Sequence, residues 1–134
     1  MRKTVLLIGA MLAALSTTAF AGGKRHITLH INNQTAYDFT NGNAKHKQVH
    51  VDTVQTTVKK GRTGLVKFHF DEDSFSDVMM NVTYLVATGN GEEVELKYHI
   101  DTSGSACKIV TPPDLEGNYN DCHDIDVHYD FANK

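Results

Sequence analysis

The stretch from Val78 to Ile100 constrains this chain more than any other. Val78, Met80, Val82, Tyr84 and Val86 occupy alternate positions, and so do Val94, Leu96, Tyr98 and Ile100. A period of two marks a strand with one buried face, because successive side chains point to opposite sides of a sheet. Gly89-Asn90-Gly91 lies between the two runs. Asn-Gly supplies the positive φ angles of a tight turn, so the spacing predicts an antiparallel hairpin.

The alternation recurs along the chain. Ile27, Leu29 and Ile31 oppose His26, Thr28 and His30; Val66, Phe68 and Phe70 oppose Lys67 and His69; Ile125, Val127, Tyr129 and Phe131 oppose Asp126, His128 and Asp130. A short strand is expected over 36–40. Asn32-Asn33-Gln34-Thr35 and Asn41-Gly42-Asn43 read as turns. Between His46 and Val58 the apolar parity changes, from Val49 and Val51 to Val54 and Val58. Such a change predicts a bulge, placed near Asp52-Thr53. No segment shows a helical period. Seven or eight short strands separated by turns predict an all-β fold, an antiparallel two-sheet β-sandwich. Its core would be the apolar parity of each strand, filling a gap of about 10 Å.

Met1-Arg2-Lys3, the apolar run Val5–Leu15 and the closing Ala19-Phe20-Ala21 have the layout of a secretory signal peptide. Residues 1–21 are therefore expected to be a leader. Residues 22–134 would be one domain, secreted or periplasmic. The leader's apolar run is shorter than the ~20 residues of a membrane-spanning helix, so no transmembrane segment is expected in the mature chain. Without Arg2 and Lys3 there remain 11 basic and 16 acidic residues, a net charge of -5 with histidine neutral. That balance argues against nucleic acid as a partner, which calls for a basic stripe. Cys107 and Cys122 are the two cysteines. In an oxidising compartment an even count reads as one disulfide, with free thiols or a thiolate metal site as the alternatives.

Chemistry is sparser than architecture. The chain has eight histidines, and His26, His30, His50, His69, His99 and His128 all fall on the polar parity of a strand. They read either as solvent-facing strand residues or as a transition-metal site for zinc or copper, since imidazole suits both ions. His26 and His30 lie four residues apart on one strand, ~13 Å at 3.3 Å per residue, too far to share an ion. A site therefore needs cross-strand neighbours, whose β-carbons approach to about 5 Å. If the strand 65–70 pairs with the hairpin, His69 and His99 are companions. Asp71, Glu72, Asp73 and Asp77 offer oxygens to calcium, but the segment lacks the EF-hand pattern and a solvated acidic loop is the preferred reading. No Gly-x-Ser-x-Gly elbow or His-Glu-x-x-His zinc motif is present, and the protein is read as a non-enzyme. Loops on a rigid scaffold usually carry function. Arg62, Asp71, Asp73, Asp77 and Tyr119 are the candidate contacts there, for a protein, glycan or lipid ligand.

One layout invites comparison. Ile27-Thr28-Leu29-His30-Ile31 runs into Asn32-Asn33-Gln34-Thr35; Gly61-Arg62-Thr63-Gly64 precedes an aromatic strand; Val82-Thr83-Tyr84 leads through Gly89-Asn90-Gly91 into Val94-Glu95-Leu96. This order resembles that of the aegerolysin-like small secreted β-sandwich proteins. The resemblance implies a membrane-lipid-binding module, in some members acting with a pore-forming partner. The chain departs from that family in having no tryptophan, whereas the family's surface is rich in aromatics. No binding residues are carried over.

Overall fold

The structure is a computed structural model that describes residues 23–72 and 77–134. The expected leader and Asp73 lie outside the described residues. Among the described residues nine strands follow in order: β1 (Lys24–Gln34), β2 (Phe39–Lys47), β3 (His50–Val54), β4 (Arg62–Asp71), β5 (Asp77–Val86), β6 (Glu93–Asp101), β7 (Gly104–Val110), β8 (Leu115–Asn120) and β9 (Asp126–Asn133). They form a five-stranded sheet, β8-β9-β1-β4-β3, and a four-stranded sheet, β2-β5-β6-β7. The two pack face to face as a β-sandwich.

Each strand buries the parity that its sequence marks as apolar. Ile27, Leu29, Ile31, Val66, Phe68, Phe70, Val127, Tyr129 and Phe131 fill the gap from the five-stranded side. Val78, Met80, Val82, Tyr84, Val86, Val94, Leu96 and Tyr98 fill it from the other. Burying each such side chain contributes about 1.5–3 kcal/mol. The rings interdigitate across the gap: Phe68 meets Tyr98 at 5.6 Å with planes at 67°, and Phe39 meets Phe131 edge-on at 5.4 Å. Two hydroxyls bridge polar backbone in the same interior. Tyr129 donates to the Lys97 carbonyl at 2.8 Å, joining β9 to β6, and Tyr84 donates to the Gln55 carbonyl at 2.6 Å.

The hairpin is β5–β6, in antiparallel register with Val78 opposite Ile100 and Tyr84 opposite Val94. Its connection is longer than a two-residue turn, running over residues 87–92. The positive φ angles belong to Gly89 and Gly91, not to Asn90. β4 does not pair with this hairpin; its neighbours are β1 and β3.

Three other local expectations change. Asn32 and Asn33 extend β1 instead of turning. Asn33 is buried, with its amide donating to the carbonyls of Tyr37 at 2.8 Å and Val58 at 2.9 Å. Its oxygen accepts from Thr35 Oγ1 at 2.6 Å. This full complement of partners removes the desolvation cost of an interior amide. Asn41-Gly42-Asn43 lies within β2, where the ladder shifts register between Thr40 and Asn43 and Asn41 takes φ 53°. A turn residue in a bulge serves the same backbone need. The chain from Ala36 to Thr40 is half turn and half strand, since β2 begins only at Phe39. The segment after β3 runs beside β2, where Phe39 and Val58 exchange backbone hydrogen bonds of 2.9 and 2.8 Å.

The five-stranded sheet is mixed rather than antiparallel, because β9 and β1 run parallel, Val127 opposite Leu29 and His128 opposite His30. A hairpin forces antiparallel pairing, but β8 and β9 arrive by a crossover from the other sheet, so nothing local sets their direction. The strand beyond the expected seven or eight is β8, in the segment between the cysteines. Cys107 on β7 and Cys122 beyond β8 form the expected disulfide, with Cα atoms 6.0 Å apart. It ties the two sheets along one side. Ile125 shares the inward parity in sequence but precedes β9 and is 52% exposed.

Candidate metal centre

The outer face of the five-stranded sheet carries five of the eight histidines. Three stand in one row. His26 on β1 is the register partner of His69 on β4, and His50 on β3 is the register partner of His69 from the other side. Adjacent strands lie about 4.8 Å apart, so the three rings rise side by side. The His26 and His69 ring centroids are 5.1 Å apart, and so are those of His50 and His69.

The bulge supplies a carboxylate to this row. Val51 pairs with Phe68 and Thr53 with Lys67, which leaves Asp52 as the extra residue of β3. Asp52 Oδ2 lies 2.9 Å from His69 Nδ1. When Nδ1–H donates to the carboxylate, the ring is held in place and its Nε2 is free to ligate, the usual supporting arrangement around a metal-bound imidazole. One donor atom each from His26, Asp52 and His69 lies within 4.8 Å of the others. Ligands of a tetrahedral ion with bonds near 2.1 Å stand roughly 3.4 Å apart, so modest side-chain rotations would close the set on one ion. Nitrogen and carboxylate donors without thiolate suit zinc, Cu(II) or nickel. Both cysteines are consumed in the disulfide.

A second polar cluster lies farther along the same face. His30 and His128 stack with centroids 4.2 Å apart and planes at 8°. His30 Nε2 sits 2.9 Å from Asp126 Oδ1. The Asn32 amide donates to Asp130 and lies 3.4 Å from His128 Nδ1. Rings in nearly parallel planes keep their in-plane lone pairs in separate planes, so this pair does not converge on one ion.

The expected partnership of His69 with His99 does not form. His99 lies on β6, on the outer face of the four-stranded sheet, with the whole sandwich between it and His69. Its Nε2 bonds Asp77, and its Nδ1 is 4.0 Å from Asp101. Asp77 is also bound by Lys47 Nζ at 2.9 Å. The Lys47 hydrogen bond, followed by that of His99, holds the Asp77 carboxyl below the ordinary carboxylate value. The Ser103 side-chain and backbone donors do the same for Asp101.

Among the loop candidates, Asp71 ends β4 in an ion pair with Lys24 at 3.3 Å. Asp77 opens β5 on the other sheet, so the two described ends of the acidic segment are each engaged by a lysine. Arg62 opens β4 and borders a shallow polar hollow with Gln55, Lys59 and Thr63. Tyr119 is 45% exposed on β8, its ring 6.4 Å from Tyr129. It lines a cleft between β7 and β8 with Lys108, Ile109 and Asn118.

The sequence marks His26, His50 and His69 as outward-facing and a bulge near Asp52-Thr53. It does not mark Asp52 as a donor. The available clue was the parity change itself, which inserts an extra outward residue into a histidine-bearing strand. No family model matches the chain, and no curated relative is found for it. Among the described residues, no helix is long and apolar enough to cross a membrane.

Proposed function

We propose that this chain is a secreted or periplasmic, non-catalytic β-sandwich whose ligand is a divalent transition-metal ion, zinc or copper. His26 and His69 would hold it, with Asp52 either ligating or orienting His69. The convergence of these three donors on one sheet face carries the reading. The disulfide supports export, because such bonds persist in oxidising compartments. The layout of residues 1–21 points the same way.

Calorimetric titration of tag-free protein with zinc and Cu(II) tests it. One ion per chain is expected. His26→Ala and His69→Ala should each weaken binding at least tenfold, while His99→Ala on the opposite face leaves it unchanged. Asp52→Asn should cost about 10–100-fold, the range for a residue that orients a ligand. Acid should weaken binding, since imidazole must shed its proton to ligate. Free ion at 100 times the dissociation constant should stabilise the fold by about 2.7 kcal/mol. Absent heat and absent thermal shift with both metals would refute the reading, as would equal losses in His69→Ala and His99→Ala.

A further inference from the structure

The geometry points to an ion that keeps a coordination position open to solvent, so that it enters and leaves through a ternary complex with an outside nitrogen or oxygen donor. This rests on the reading of His26, Asp52 and His69 as the metal-binding set. Zinc sites that serve structure are closed by four protein ligands, whereas sites with three protein ligands keep a position for another molecule. Here the set supplies three ligands at most, and two where Asp52 orients His69 instead of ligating, so a position stays open either way.

Their placement matters as much as their number. All three rise from one face of one sheet, so every protein donor approaches the ion from the same side. The neighbouring outward positions belong to that sheet too. Lys24 and Asp71 form the row on one side. Thr28 and Lys67 form the row on the other, with Thr53 beside Lys67. His26 and Asp52 are exposed. His50 stacks against His69 on the side away from His26, and it too would approach from the sheet.

The fold's cohesion lies elsewhere, in the interior between the sheets and in the Cys107–Cys122 bond. The ion is therefore not a structural staple. A carrier that accepts an ion from one donor and yields it to another needs this kind of half-open shell. The outside molecule is of the class that offers a nitrogen or oxygen donor, such as an imidazole or a carboxylate.

The experiment uses the full chain loaded with one equivalent of Cu(II) or zinc. Azide titrated into the copper form should give a saturable charge-transfer absorption, one azide per copper. A chromophoric chelator mixed with the zinc form should remove the ion at a rate that rises linearly with chelator concentration, because it attacks before the ion departs. A chelator-independent rate together with no azide absorption would overturn the open position. Azide absorption in His50→Ala alone would overturn it as well, by showing that His50 closes the shell. Failure of the chain to take up either ion beforehand would overturn the metal reading itself and this inference with it.

Discussion

Three interior tyrosines make a controlled test of what holds the two sheets together. Tyr129 donates to Lys97 across the gap at 2.8 Å, Tyr84 donates to Gln55 at 2.6 Å, and the Tyr98 hydroxyl is buried without a hydrogen-bond partner among the described residues. Replacing each by phenylalanine removes one oxygen and leaves the ring. Losing a satisfied hydrogen bond costs about 0.5–1.5 kcal/mol, more if the carbonyl left behind stays buried and unpaired. Tyr129→Phe and Tyr84→Phe should therefore each destabilise by about 1–2 kcal/mol. Tyr98→Phe removes a hydroxyl that lost its water without compensation, a burden of about 1–3 kcal/mol, so it should be neutral or stabilising. Urea unfolding at neutral pH, with unchanged denaturant slopes, reads all three. The alkaline limb gives a second reading. Burial raises the Tyr84 and Tyr98 hydroxyls to about 12 and raises Tyr129 further still. The folded state then holds protons that the unfolded state releases from about pH 10 upward. Stability must fall as pH climbs from 10 towards 12, and Tyr98→Phe should soften that fall. If Tyr98→Phe costs as much as Tyr129→Phe, the reasoning is wrong.

Three shorter tests address the rest of the frame. Replacing Cys107 and Cys122 together by alanine should cost about 3 kcal/mol, from the entropy of a 15-residue loop; a change under 1 kcal/mol in thermal unfolding would contradict it. Gly42→Ala would place a β-carbon 2.5 Å from Tyr84 Cε1 and 2.9 Å from Thr56 Cα, so unfolding experiments should show a loss of about 1–3 kcal/mol. The Asp77 and Asp101 carboxyls should titrate below 3.8 in an NMR pH series. Their stabilising contribution is then present above that value and lost as pH falls through the depressed one. Lys47→Met should move Asp77 back upward while leaving Asp101 in place, and an unmoved Asp77 would show that the lysine is not the main cause.

Much of this structure was legible locally. The inward parity of β1, β4, β5, β6 and β9 follows from alternation, and the bulge in β3 follows from a parity change at Asp52. Gly42 and Asn33 show where local reading fails. Asn-Gly and Asn-Asn are turn formers by propensity, yet Asn33 is drawn into β1 by four interior hydrogen bonds. Gly42 sits in a strand, where its N–H donates to the Thr56 carbonyl at 2.9 Å and Tyr84 passes too close for a side chain. In both cases partners distant in sequence outweigh a local preference of at most a kilocalorie or so.

The sequence alone determined which side of β1, β4, β5, β6 and β9 faces inward, that the fold is all-β, and which two cysteines could join. Alternation is a property of consecutive residues, and two cysteines allow one pairing. Only the tertiary structure decided who stands beside whom. A strand's pattern carries no label for its neighbour, so β4 could be assigned to the hairpin on sequence grounds when it belongs between β1 and β3. That single difference moves His69 from the company of His99 to that of His26, His50 and Asp52. The candidate centre is thus a product of strand order. Its donors come from three strands, and backbone pairing rather than chain proximity sets them side by side.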